Sequence, residues 1–96
     1  MNINYKLDND VLVVSLKGRL DTEASAKFET VFAEIAKENP HGSLVVDATD
    51  LSYIASSGLR IMLKMVKTEK NFRLENVCPA VYDVFEVTGF SKIIKM

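Results

Sequence analysis

The side-chain types of a hydrolytic triad all occur in this chain, as Ser56, His41 and Asp47. A nucleophilic serine needs a base within hydrogen-bond reach, about 3 Å. His41 is the only histidine; it precedes a predicted strand over residues 43–47, and Ser56 follows that strand. Such a strand separates the two ends of a sheet by roughly 16 Å. The spacing excludes a triad, and because the chain also lacks a hydrolase elbow, a phosphate-binding glycine loop and metal-ligand spacing, we predict no enzymatic activity.

Ser56 occupies a position that would suit a phosphate. The run Ser56-Ser57-Gly58 opens an amphipathic segment, and Ser56 is predicted to be the N-cap whose hydroxyl accepts a bond from an unpaired backbone N–H. This position lies at the carboxyl edge of the sheet, on the positive end of a helix dipole. Two interpretations follow, a simple helix cap or a phosphorylation site, and the residues by themselves favour the cap.

Three other reactive side chains have simpler interpretations. Asp47 and Asp50 could form a carboxylate pair for acid–base chemistry, but an aspartate at a strand end more often accepts hydrogen bonds from loop N–H groups, and we favour that interpretation. Cys78 is interpreted as a small structural residue at a helix start, where its thiolate would be favoured without other signs of reactivity.

A basic stripe follows Ser56 along the predicted helix, formed by Arg60, Lys64, Lys67 and Lys70. It is either the solvated face of an amphipathic helix, the commoner case, or a docking surface for an acidic partner. Ile61 and Met65 lie off the main apolar stripe. They are either the apolar centre of that surface or residues packed under a neighbouring helix.

Composition limits the class of protein. The 96 residues are 48% hydrophobic and 26% charged, with a net charge of −1, which predicts one domain over residues 1–96. Near-neutral charge gives no reason to expect nucleic acid as a partner, and no apolar run is long enough to cross a bilayer. The single cysteine excludes an internal disulfide. We expect a cytoplasmic protein without cofactor, metal or direct membrane contact.

The elements that must position Ser56 follow from periodicity. Residues 3–7 alternate as a half-buried strand, residues 8–10 turn, and residues 11–16 form a second strand, ended by Gly18, that completes an antiparallel hairpin. A helix capped by Asp21 or Thr22 carries an apolar stripe of Ala24, Phe28, Val31, Phe32 and Ile35. Residues 39–42 turn into the strand over 43–47, whose apolar run predicts burial on both faces.

The second half continues the alternation of strand and helix. Residues 48–55 are predicted as a connector, and the helix after Gly58 buries Leu59, Met62, Leu63 and Val66. A half-buried strand over 71–77, a helix from Cys78-Pro79 to Thr88-Gly89, and residues 90–94 that pack back or add an edge strand complete the chain. The order ββαβαβα predicts an α/β fold with a mixed sheet of four to five strands flanked by helices.

Three blocks in this order resemble the STAS domain, specifically the small bacterial anti-sigma factor antagonists. They are residues 16–21 (LKGRLD), residues 44–47 with 50–59 (LVVD, DLSYIASSGL), and residues 79–94, which include PAV, VF, TGF and KII. The resemblance implies the STAS fold and covers nearly the whole chain. In that family the serine matching Ser56 is phosphorylated, with Ser57 as the second choice here. Ala55 stands where the best-known members carry aspartate.

The resemblance also implies partners. The unmodified protein would bind an anti-sigma factor that is itself a serine kinase and thereby release a sigma factor; phosphorylation would end this binding, and a metal-dependent phosphatase would restore it. The expected contact surface comprises Asp21, Ala55, Ser56, Ser57, Gly58, Arg60, Ile61 and Lys64. The alternative is a STAS scaffold that is not phosphorylated, as a subunit of a transporter or of a larger signalling assembly.

Overall fold

The computed structural model describes residues 1–96 as a mixed sheet with helices on one face. The elements are β1 (Asn2–Asp8), β2 (Val11–Leu20), α1 (Thr22–Glu38), β3 (Ser43–Ile54), α2 (Ser56–Thr68), β4 (Phe72–Glu75), α3 (Pro79–Thr88) and a 3₁₀ turn (Phe90–Lys92). The strand order is β1-β2-β3-β4; β1 is antiparallel to β2, and β3 runs parallel to both β2 and β4. The predicted order ββαβαβα, the four-stranded mixed sheet and the interior position of β3 are confirmed.

The helices pack on a single face of the sheet, so β3 is not covered by helices on both faces as predicted, although residues 44–46 are all buried. In-register side chains such as Leu12, Leu44 and Phe72 join the apolar cluster that the helices complete. Val45 points away from this cluster, on the face that also carries exposed Arg73. Val45 is nevertheless only 8% exposed, because neighbouring strands flank it on both sides.

The hairpin forms as predicted, but β1 is not half-buried. Its two-residue turn places Asn9 at φ 57°, a conformation that asparagine tolerates better than most residues. Apart from Ile3, every residue of β1 is exposed, including Tyr5 and Leu7. β1 is an edge strand, and the helices pack mainly against β2 and β3. Its alternating pattern therefore predicted a strand correctly and its burial wrongly.

Strand β3 is much longer than predicted, because two bulges disguise its second half. The register against β2 slips by one residue after Asp47 and again after Leu51. Ala48, Leu51 and Ile54 are all buried, and their spacing of three residues hides the two-residue period of a strand. Residues 48–54 are thus strand and not connector. Gly18 does not end β2; it lies inside the strand at the second slip, with φ +111°.

Helix α2 buries Leu59 and Met62 as predicted, but Leu63 and Val66 are only half-buried, and Ile61 and Met65 join the core instead. The other elements keep more of their predicted stripes. Phe28 and Ile35 of α1 are buried, and the short strand β4 buries Phe72 and Leu74. Helix α3 begins after Cys78 and ends at Gly89, which has φ 80°. The C-terminal residues pack back and add no strand: Ile94 is buried, and the Lys95 carbonyl accepts a bond from the Leu74 N–H at 2.9 Å. None of the helices has the length and apolar content that crossing a bilayer requires.

Candidate functional site

The N-termini of α1 and α2 lie side by side at the carboxyl edge of the sheet. The last residues of β2 and β3, Leu20 and Ile54, are register partners. A backbone hydrogen bond also joins the two segments at this edge, because the Ala55 N–H donates to the Leu20 carbonyl at 2.9 Å. Asp21 and Ser56 therefore begin two neighbouring helices at one edge. The fold brings these two predicted site residues together although they are far apart in sequence.

The N-cap of α2 is Ala55, so the predicted cap at Ser56 is wrong by one residue. Ala55 has the extended backbone of a cap, with φ −86° and ψ 169°, and its side chain accepts no hydrogen bond. Ser56 is the first helical residue, and its side chain is exposed. The backbone N–H groups of Ser56, Ser57 and Gly58 have no acceptor within the protein. The start of α2 thus combines free donors with an accessible hydroxyl, the arrangement that favours an anion.

The neighbouring helix α1, in contrast, has a side-chain cap at its N-terminus. Asp21 has nearly the same backbone, with φ −81° and ψ −175°, and its Oδ1 accepts the Ala24 N–H at 2.9 Å. Of the two predicted caps, Asp21 is the one that forms. One of its carboxylate oxygens is therefore used locally, while the residue itself remains exposed beside the start of α2.

Gly58 sets how closely α2 approaches the sheet. A Cβ added at Gly58 would lie 2.8 Å from Ile54 Cγ1 and 2.9 Å from Leu20 Cδ2. These distances are shorter than packed carbon atoms adopt. Gly58 is buried beneath the start of α2, so its lack of a side chain sets the position of this helix start against the sheet.

A cation–aromatic pair that the sequence did not predict lies at the same end of β2 and β3 as Ser56. The guanidinium carbon of Arg19 lies 4.2 Å from the centroid of the Tyr53 ring, and both residues are exposed. Arg19 and Tyr53 are register partners only because β3 carries two bulges. Exposed tyrosine and arginine are the residue types most enriched at the energetic centres of protein interfaces. A sequence signal existed, since both residues fall in the blocks that carry the family resemblance.

The basic residues of α2 differ in their surroundings. Lys64 Nζ lies 3.0 Å from Glu29 Oε2 of α1, and both side chains are exposed. Arg60 is exposed and makes no ion pair. Ile61 and Met65 are 9% and 4% exposed within the main core. They pack under the neighbouring helix, which confirms the second of the two interpretations, and Ile61 is not the centre of an exposed surface.

Asp47 lies at the first bulge of β3, and its hydrogen-bond partners, Thr49 and Asn76, are neither acids nor bases. Its Oδ1 accepts the Thr49 hydroxyl at 2.6 Å, the Thr49 N–H at 3.0 Å and the Asn76 side-chain amide at 3.1 Å. The Thr49 hydroxyl is the main cause that lowers the pKa of Asp47; burial opposes it, and the bonds from Asn76 and the Thr49 N–H add to it. These bonds stabilise the carboxylate, so Asp47 stays ionised and is a poor proton acceptor. The structural interpretation of this residue is confirmed.

His41 lies at the opposite end of β3 from Ser56. Its Nε2 is 2.5 Å from Glu69 Oε1, and its Nδ1 is 2.7 Å from the Asn39 carbonyl. Burial lowers the pKa of His41, but the bond to Asn39, the bond to and charge of Glu69, and the charge of Asp10 together raise it above its usual value. Both ring nitrogens face acceptors, so the protonated ring suits this site. His41 thus joins two loops at the far edge of the sheet.

Comparison with known proteins places this architecture among characterised families. The family profile of the STAS domain matches residues 2–96. BtrV of Bordetella bronchiseptica, named as a candidate anti-sigma factor antagonist, is 35% identical over 94 residues that span 92% of this chain and 78% of BtrV. The anti-sigma-B factor antagonist of Bacillus subtilis is 26% identical over 98 residues, spanning 98% of this chain and 88% of that protein.

Solved structures agree on the fold. An anti-sigma factor antagonist from Mycobacterium paratuberculosis superposes with a TM-score of 0.85 at 23% identity, covering 97% of this chain and 81% of that one. The Bacillus cell fate determinant SpoIIAA in its phosphorylated form superposes with a TM-score of 0.71 at 18% identity, covering 97% and 88% of the two chains. At these identities the likeness establishes the arrangement of strands and helices.

Proposed function

This chain belongs to the STAS domain family, and we propose that it acts as an anti-sigma factor antagonist switched by phosphorylation of Ser56. The observation that carries the proposal is the exposed Ser56 hydroxyl at an uncapped helix start. Relatives named as anti-sigma factor antagonists support the function, and a protein of the same fold described in a phosphorylated form supports the switch.

The switch follows from the electrostatics of the helix start. A phosphate on Ser56 would add a charge of about −1.5 to −2. The free N–H groups of Ser56, Ser57 and Gly58 and the helix dipole favour an anion there, so the modification should leave the fold intact. Its effect is local: it places charge in a surface that the unmodified serine helps to form. A buried, unpaired charge costs several kcal/mol, and each ~1.4 kcal/mol weakens binding tenfold.

The contact surface proposed here centres on the carboxyl edge of the sheet. Its exposed members at α1 and α2 are Asp21, Ser56, Arg60 and Lys64. Arg19 and Tyr53 extend it along the strand ends. Tyr53→Ala should weaken partner binding by about tenfold or more, as expected for a central interface tyrosine. Tyr82→Ala is the matched control, because Tyr82 is 41% exposed against 39% for Tyr53 and lies on α3. Equal losses in the two variants would place the interface elsewhere.

The proposed partners are an anti-sigma factor with serine kinase activity and a metal-dependent phosphatase, acting with this chain in the cytoplasm. A second candidate is a STAS scaffold that is never phosphorylated, as a subunit of a transporter or signalling assembly. It is favoured by Ala55, which leaves the position before Ser56 without the aspartate of the best-known family members. Both candidates bind a protein partner, but only the first is phosphorylated at Ser56.

Affinity capture from native lysate, followed by mass spectrometry of partners and phosphosites, separates these candidates. The proposal predicts recovery of an ATPase of the histidine-kinase-like type and a phosphate on Ser56 in a fraction of the chain. Ser56→Ala is the control variant, and it should retain the ATPase and lose the phosphopeptide. A transporter or signalling scaffold as the main partner, with unmodified Ser56 throughout, would favour the second candidate.

A further inference from the structure

Two serines with buried, unpaired hydroxyls line one cleft between the N-terminal halves of α1 and α2. Ser25 of α1 is 1% exposed, and neither its Oγ nor the buried Oγ of Ser57 on α2 has a hydrogen-bond partner. Both serines line a cleft of about 370 Å³, whose other lining residues are Thr22, Ala26, Glu29, Arg60, Ile61 and Lys64. Buried polar groups almost always find a partner. Ser25 and Ser57 therefore each keep a hydroxyl that is not used within the protein, at the wall of one cleft.

The charges around the cleft define the kind of ligand. The cleft carries two cations, Arg60 and Lys64, and one carboxylate, Glu29. Glu29 is paired with Lys64 at 3.0 Å, which leaves Arg60 as the cation without a partner. Hydroxyls and a guanidinium together offer O–H and N–H donors to a planar oxyanion. A carboxylate matches this donor set in size and charge.

We propose that this cleft receives the carboxylate of an aspartate or glutamate side chain of the protein partner. The carboxylate would accept bonds from the hydroxyls of Ser25 and Ser57 and pair with Arg60. The inference rests on the proposed function only for the identity of that partner. It extends the contact surface from Asp21 along α1 to Thr22 and Ser25, and it gives Arg60 a role separate from the Ser56 switch.

The unpaired hydroxyl at Ser25 gives the proposal a signature in stability. A buried hydroxyl without a partner is unfavourable in the free protein. Ser25→Ala should therefore keep or raise the melting temperature of the free protein while weakening carboxylate binding about tenfold. A hydroxyl with only a structural role would behave in the opposite way, since its loss would lower the melting temperature and leave binding unchanged.

The first test is an NMR titration of the full chain with N-acetyl-aspartate N′-methylamide, with the asparagine analogue as the neutral match. We expect the backbone amides of Ser25, Ser57 and Arg60 to shift with the acidic compound and to respond at least tenfold more weakly to the neutral one. Arg60→Gln and Ser25→Ala should each weaken the response. The controls on α1 are Lys27→Gln and Thr30→Ala, because both residues are exposed and lie outside the cleft.

Several results would overturn the proposal: no shift at the highest soluble concentration, shifts that map elsewhere, equal responses to the two compounds, or a response that Arg60→Gln leaves unchanged. A second arm measures binding of the captured anti-sigma factor to the same variants. If the wild type and both cleft variants bind it equally, the cleft is outside the interface and the inference fails while the proposed function stands. If the wild type binds no anti-sigma factor, the proposed function fails, and the titration alone then shows whether the cleft binds a carboxylate.

Discussion

Replacing Ala55 by a residue that can cap α2 should stabilise the protein. Ala55 already has a capping backbone within a few degrees in φ of Asp21, at −86° against −81°, but it lacks an acceptor. Asp21 shows the expected bond, which its Oδ1 accepts from the N–H three residues later at 2.9 Å. The equivalent donor in α2 is the N–H of Gly58, which has no acceptor. Ala55→Asn and Ala55→Asp should both supply one.

The size of the gain follows from known capping energies. Exchanging alanine for a capping residue contributes about 1 kcal/mol, and in a domain of this size 1 kcal/mol shifts the melting temperature by roughly 4–8 °C. Asparagine isolates the hydrogen bond. Aspartate adds a favourable charge at the helix start, of about 0.3–1 kcal/mol, opposed by repulsion from nearby Asp21. The two effects on aspartate partly cancel, so we expect similar gains from the two variants.

Differential scanning calorimetry of both variants measures this directly. Asp21→Ala is the mirror experiment and should lower the melting temperature by a similar amount, because it removes the cap that α1 already has. If neither Ala55 variant raises the melting temperature while Asp21→Ala lowers it, α2 does not begin at Ser56 as described. The start of α2 would then not be an uncapped helix start that favours an anion.

Three further outcomes follow from the structure. Ser56→Ala should leave the melting temperature within about 2 °C of the wild type, since the Ser56 hydroxyl caps nothing. A large fall in melting temperature would show that the Ser56 hydroxyl does cap α2. Gly58→Ala should lower stability, because overpacking against Ile54 and Leu20 costs about 1–3 kcal/mol and outweighs a helix-propensity gain of at most ~1 kcal/mol; denaturant unfolding that shows stabilisation would refute the close approach. The pKa of His41 is raised in the folded protein, so its protonation stabilises the fold below about pH 6.5 and this contribution is lost as pH rises through the folded pKa. The stability difference between wild type and His41→Gln should therefore be largest near pH 5.5 and shrink towards pH 8, and a difference that grows with pH would contradict the bonds to Glu69 and Asn39.

Periodicity predicted the elements whose buried side chains keep a regular spacing. The stripes of α1 and α2 and the alternation of β4 each carried enough signal to place the element. The second half of β3 was missed because its bulges spread Ala48, Leu51 and Ile54 three residues apart. Bulges depend on pairing with β2, which local pattern does not record. The same bulges make neighbours of Arg19 and Tyr53, so this part of the site also escaped prediction.

Two errors have a common origin in residue chemistry. Ser56 was assigned as the cap because serine suits that role, yet the hydrogen bond between Ala55 and Leu20 fixes the helix start one residue earlier. The run Leu44-Val45-Val46 suggests a strand covered on both faces, yet the helices cover only one face, and neighbouring strands shield Val45 on the other. In each case side-chain preference was a weaker determinant than long-range backbone pairing. The burial of Ser25 could be predicted from the sequence, because Ser25 lies three residues before Phe28 and therefore on the same, buried side of α1.

The central claim is that charge on Ser56 ends partner binding without unfolding the protein. Titration calorimetry of the purified anti-sigma factor against Ser56→Ala and Ser56→Asp tests it most directly, with Asn4→Asp as the control that adds the same charge on exposed β1. We predict that Ser56→Ala and Asn4→Asp bind like the wild type, and that Ser56→Asp keeps its melting temperature within a few degrees while binding at least about a hundredfold more weakly. Equal binding by Ser56→Ala and Ser56→Asp, or an unfolded Ser56→Asp, would contradict a switch at Ser56.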